Sequence, residues 1–128
     1  KLGSLNAMIV HGDDGLDELS TTASTKVSRL KNDGSIDNIS ISASDFGINR
    51  ASLDDLKGGN PEENAEITKA ILNGNNTGPK ADIVILNAAA GIFVGGKSES
   101  IAGGINIARD VINSGSAMDT LQKLIVVK

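Results

Sequence analysis

Cysteine is absent from these 128 residues, tryptophan and tyrosine are absent too, and His11 is the single histidine. Without Cys there is no disulfide, no zinc–thiolate centre and no thiol nucleophile. A thiol-free chain agrees with a cytoplasmic setting. One His rules out a His-rich metal site. Phe46 and Phe93 are the only aromatics, so the core must be built from Ile, Leu, Val and Ala. Ring platforms for stacking single-stranded nucleic acid are excluded with them. The net charge is -4 and no run of Lys or Arg occurs, which argues against nucleic acid and acidic membrane surfaces as partners. No membrane span and no signal peptide is expected.

What is present is a 39% apolar composition in a length suited to one domain. The most informative stretch is His11-Gly12-Asp13-Asp14-Gly15-Leu16-Asp17-Glu18-Leu19. It follows Ala7-Met8-Ile9-Val10, a short apolar run that reads as a buried strand. The carboxylates of Asp13, Asp14, Asp17 and Glu18 are too costly to bury as a group, so they stay in water or hold a cation. Asp17 and Glu18 are adjacent hard oxygen donors just past a strand end. That position suits Mg²⁺, which takes one or two carboxylates and completes its shell with water and substrate phosphates. A solvated acidic turn is the competing reading, and spacing alone favours it.

Further along, Thr25-Lys26-Val27-Ser28-Arg29-Leu30 alternates in character, and Ile36, Ile39 and Ile41 mark a second such segment. Asn32-Asp33-Gly34 between them predicts a β-hairpin. The strand before the acidic loop has no obvious partner. Ser52-Leu53-Asp54-Asp55 is a capping box for a short helix. Asn60-Pro61-Glu62-Glu63 starts a better one, which stops at Asn73-Gly74 and buries Ile67, Ala70 and Ile71. Residues 81–94 are apolar nearly all round and read as a buried helix. Ile101, Ile105, Ala108 and Ile112 define an amphipathic helix ended by Gly115, and a last helix opens at Ser116 and runs through Leu124. The opening Lys1-Leu2-Gly3-Ser4 reads as a helix tail with a Gly cap, as though cut from something longer.

One motif is a decoy. Gly91-Ile92-Phe93-Val94-Gly95-Gly96-Lys97-Ser98 satisfies the P-loop pattern G-x-x-x-x-G-K-[ST]. A phosphate cradle needs small or flexible residues at its open positions. Ile92, Phe93 and Val94 are bulky, and no apolar run ending in Asp follows. The expectation is a helix end with a Gly-rich cap and Lys97 at the negative helix terminus.

Taken in order, several blocks resemble one family, the anthranilate phosphoribosyltransferases. They are Ala7-Met8-Ile9-Val10-His11-Gly12, Asp14-Gly15-Leu16-Asp17-Glu18, Asp45-Phe46-Gly47-Ile48 with Arg50-Ala51, Leu56-Lys57-Gly58-Gly59-Asn60, Glu63-Asn64-Ala65, Ile71-Leu72-Asn73-Gly74, and residues 82–90. Gly96-Lys97 and the final two helices complete the set. The resemblance implies an α/β fold: the C-terminal part of a mostly parallel α/β domain of the nucleoside phosphorylase/phosphoribosyltransferase type, with a β-hairpin and several helices. Residues 1–128 would form a single partial domain.

It also implies a chemistry, transfer of phosphoribosyl from phosphoribosyl pyrophosphate (PRPP) to the amine of anthranilate in tryptophan biosynthesis, in a homodimeric cytoplasmic parent. The family's paired acidic motif falls on Asp17 and Glu18, which would ligate Mg²⁺. The family's G-T-G-G-D loop, its K-H-G-N segment and its helical domain have no counterpart here. This chain is therefore expected to be inactive alone. A pyrimidine nucleoside phosphorylase relative is the nearest alternative. A nucleotide-binding module using Lys97 and Ser98, or a binding protein that keeps the fold without chemistry, stands further off.

Overall fold

The structure, a computed structural model, describes residues 3–127. Lys1 and Leu2, half of the helix tail expected at the start, lie outside the described residues. Gly3 has a φ of +83°, the left-handed backbone a helix-ending glycine takes.

Three strands form one sheet: β1 (Ala7–Gly12), β2 (Thr25–Leu30) and β3 (Ile36–Ile41). The order is β1-β2-β3, with both pairs antiparallel. The β2–β3 hairpin falls where the Asn-Asp-Gly signal placed it. Gly34 takes a φ of +83° and its N–H donates to the Lys31 carbonyl at 2.9 Å. The partner of β1, which the sequence did not reveal, is β2: Ala7 faces Leu30 and Gly12 faces Thr25. The long acidic connection hides that pairing, because no tight-turn signal joins the two strands. Among the described residues every strand pair is antiparallel, so these strands supply only the antiparallel element of the expected sheet.

After a short 3₁₀ turn at Ala43–Phe46 the chain is helical. The helices are α1 (Leu53–Leu56), α2 (Pro61–Leu72), α3 (Pro79–Val94), α4 (Ile101–Asn113) and α5 (Ser116–Val126). Asn60 caps α2 by accepting from the Glu63 N–H at 2.9 Å, and the Glu63 carboxylate accepts from the Asn60 N–H at 2.9 Å. The last helix runs two residues past Leu124.

The core lies between one face of the sheet and the α3–α4 pair. Leu19, Val27, Ala43, Ile48, Ile85, Leu86, Ala89, Ile105 and Ala108 are buried together, with Met8, Val10 and Ile41 packed against them. Helices α3 and α4 approach closely at Gly104, where a Cβ would sit 2.5 Å from the Ala89 carbonyl oxygen. One turn further along α3, the Arg29 guanidinium covers the Phe93 ring at 4.3 Å.

Candidate metal-binding loop

Strand β1 ends at Gly12, and the next residues fold back on it. A Cβ at Gly12 would collide with the Asp14 carboxylate and lie 3.3 Å from the Ser20 Cβ. Only glycine admits the loop this close. The Gly12 N–H donates to the Leu16 carbonyl at 2.8 Å, and the Asp13 N–H to the Ser24 carbonyl at 2.8 Å. Gly15 supplies the turn with a φ of +91°.

Asp14 is the hub of the loop. Its carboxylate accepts from the Leu16 N–H at 3.1 Å, from Ser20 Oγ at 2.5 Å and from Thr22 Oγ1. Partial desolvation pushes the Asp14 carboxyl up, but donation from Ser20, Thr22 and the Leu16 amide outweighs it. The net shift is below the ordinary carboxylate value. Beyond the hub, the Ser20 N–H donates to Thr25 Oγ1 at 3.0 Å. The Arg50 Nε donates to the Thr22 carbonyl at 2.9 Å, and the Ala51 N–H to the Thr21 carbonyl at 2.9 Å.

A second anchor comes from α3. Asn87 Oδ1 accepts from the Leu19 N–H at 2.8 Å, while its Nδ2 donates to the Leu19 carbonyl at 2.8 Å and to the Ile83 carbonyl at 3.0 Å. Leu19 itself is fully buried.

The expected ligands, Asp17 and Glu18, stand between these two anchors. Both are exposed. Among the described residues neither side chain is in any hydrogen bond or ion pair found in the structure. Exposure without a partner agrees with a solvated acidic turn as well as with a cation site. Asp13 differs from them in pairing with Lys26 at 3.4 Å, both well exposed, a contact of little energetic weight. Glu18 also lines an open groove of about 370 Å³, shared with Leu56, Asn64, Thr68, Lys80 and Ile83. His11 is exposed at the end of β1, opposite Lys26.

The donor set of the pair is of the kind Mg²⁺ takes, hard carboxylate oxygens. Among the described residues no group of three or more His, Cys, Asp or Glu converges, so the chain offers no closed cage. Two free neighbouring carboxylates at a strand end match an ion that keeps water and phosphate oxygens in its remaining positions.

The P-loop pattern is accounted for otherwise. Gly91 to Val94 belong to α3. The Gly96 N–H donates to the Phe93 carbonyl and the Lys97 N–H to the Ile92 carbonyl, both at 3.0 Å, with Gly96 at a φ of +69°. This is a Schellman ending, and it consumes amides that a phosphate would need. Ser98 Oγ donates to the Ser100 carbonyl at 2.9 Å.

Sequence reasoning missed Asn87, Arg50, Ser20 and Thr22. Asn87 had a visible signal, since it is the one polar residue in the run 83–90. The hydroxyl run Ser20-Thr21-Thr22 after four acids was a second one.

The model of the family described as "Glycosyl transferase family, a/b domain" matches residues 1–118. An anthranilate phosphoribosyltransferase of Methanobrevibacter smithii is 48% identical over 124 residues, covering 97% of this chain and 36% of that protein. A crystal structure of the anthranilate phosphoribosyltransferase of Thermus thermophilus superimposes with a TM-score of 0.78 at 36% identity, over 92% of this chain and 34% of that one. The Saccharomyces cerevisiae enzyme in complex with PRPP and Mg gives 0.81 at 28% identity, over 90% and 33%. The chain spans about a third of the length of the curated relatives it matches.

Proposed function

This chain belongs to the glycosyl transferase family, a/b domain, and from that membership we propose that it is the C-terminal portion of an anthranilate phosphoribosyltransferase. In this reading residues 1–128 are one partial domain, and the whole protein acts as a homodimer in the cytoplasm in tryptophan biosynthesis. Its substrates are PRPP and anthranilate. Among the described residues no helix is long and apolar enough to cross a membrane.

The observation that carries the reading is the state of Asp17 and Glu18. They are two exposed, unengaged neighbouring carboxylates on a loop fixed at Leu16 and at Leu19. They would hold Mg²⁺ on the diphosphate of PRPP. The ion supplies charge compensation for the departing pyrophosphate. The chain's own part is to hold the two residues on an anchored loop with both carboxylates open to solvent. Asp14 takes the local hydroxyl and amide donors onto itself, which leaves the pair free. The amine of anthranilate attacks the anomeric carbon, the bond to pyrophosphate breaks, and the amine proton leaves to solvent or to a base outside this chain. None of the residues described here is assigned that proton transfer.

The test is loss of anthranilate fluorescence on adding PRPP and Mg²⁺ to the whole protein. Turnover supports the reading. Phosphorolysis of thymidine in place of that turnover overturns it in favour of a pyrimidine nucleoside phosphorylase. The 128 residues alone should show no turnover, because the glycine-rich G-T-G-G-D loop is not among them.

A further inference from the structure

We propose that Asn87, together with Asp14, is a positioning residue that sets the divalent-ion affinity of Asp17 and Glu18. The inference rests on reading those two carboxylates as ligands.

Asn87 sits in α3, in a run that is otherwise apolar from Ile83 to Ala90. A helix packing on a loop there needs no amide. Yet this one side chain satisfies both the N–H and the carbonyl of Leu19, at 2.8 Å each. Its third bond, to the Ile83 carbonyl at 3.0 Å, fixes which way the amide faces. Both Nδ2 protons and Oδ1 are therefore in use, and the side chain has one orientation. Leu19 follows Glu18 directly, so the backbone leaving the acidic pair is tied to the most deeply packed helix of the core.

The other side of the pair is tied just as closely. Leu16 precedes Asp17, its N–H donates to Asp14 Oδ1 and its carbonyl accepts from the Gly12 N–H. Asp14 in turn holds Ser20 and Thr22. Two short tethers thus flank two residues whose own side chains are free. An ion that takes only two protein ligands depends on their being held in place beforehand, since disorder in either weakens the pair. Partners of metal ligands, when removed, typically lower affinity by about 10–100-fold.

The experiment is a Mn²⁺ titration of the full-length enzyme with PRPP present, read by electron paramagnetic resonance. It compares the wild type, Asn87→Leu, Asp17→Asn and the double variant, with thermal melts alongside. The expected result is that Asn87→Leu raises the Mn²⁺ Kd about 10–100-fold. The KM for Mg²⁺ should rise with it, while kcat at saturating Mg²⁺ is largely kept. Added to Asp17→Asn, the Asn87 change should cost less than it does alone, because it acts in part through that ligand and in part through Glu18. An unchanged Kd in Asn87→Leu, or losses that add in full in the double variant, overturns the proposal. If Asp17→Asn itself leaves Mn²⁺ binding intact, the reading beneath it fails instead. If Asn87→Leu does not fold, Asn87→Asp serves in its place. It keeps the acceptor for the Leu19 N–H, loses both donors, and is expected to weaken Mn²⁺ in the same direction.

Discussion

Asp14 and Asp82 are shifted in opposite directions, and each makes a prediction about acid. The folded pKa of Asp14 is depressed because the Ser20, Thr22 and Leu16 donors outweigh its partial desolvation. A depressed carboxylate contributes stability above its unfolded pKa, near 4, and that stability is lost as pH falls through the folded value. Asp14→Asn should therefore flatten the stability–pH curve below about pH 4 and lower stability at pH 7, measured by urea unfolding across pH. Asp82 is raised, by burial, against the opposing influence of Arg109. Its fold favours the protonated form, so the penalty is fully present above the folded pKa and vanishes below the unfolded one. Asp82→Asn should raise the Tm at pH 7, and that gain should disappear below about pH 4. No gain at pH 7 would mean that Arg109 already compensates the charge. At this scale residue type and neighbours single out Asp17 and Glu18 as candidates, and their exposure agrees with the sequence reading. The sequence was not legible for Asn87 or Arg50, because their partners lie far away along the chain and only the fold brings them to Leu19 and Thr22.

Among the elements, α3 and α4 carry the core, and their glycines separate packing from propensity. Gly104 faces the Ala89 backbone, which has no room to give. Gly104→Ala should destabilise by about 1–3 kcal/mol, although alanine is the better helix former by about 1 kcal/mol. Gly91, also helical, has nothing within 4 Å of its would-be Cβ. Gly91→Ala should therefore stabilise, by about 0.5–1 kcal/mol. It would also remove the first glycine of the P-loop pattern, with no consequence expected for ligand binding. Denaturant midpoints of the two variants, moving in opposite directions, check both claims. Leu86 is 1% exposed, and Leu86→Ala should cost about 2–5 kcal/mol. The helices were legible because their signals are local, such as Asn60-Pro61 before α2 and the Ile101, Ile105, Ala108 and Ile112 spacing in α4. The β1–β2 pairing was not, because the loop of residues 13–24 between the strands is shaped by its own side chains instead of by a turn motif.

For the whole molecule, the acidic loop lies where β1 ends and β2 begins, braced from behind by α3. The chain thus presents two exposed carboxylates on a loop anchored at both sides; under the proposed function the phosphates, the sugar and anthranilate would be met by contacts elsewhere in the protein. Family and fold were legible because blocks from one end of the chain to the other kept their order. The parallel part of the expected sheet is not among the strands described. Ile9 and Ile36, 75% and 64% exposed, lie on the sheet face turned away from the helices.

The central claim is that Asp17 and Glu18 hold the divalent ion. Its most direct test is a crystal structure of the whole protein with PRPP and Mn²⁺, located by anomalous scattering. The account predicts an ion coordinated directly by carboxylate oxygens of both residues, at the bond length of about 2.1 Å usual for a small octahedral cation, with Leu19 still held by Asn87. An ion bound away from both carboxylates, or either one turned into an ion pair with Lys80 or another cation, would contradict it.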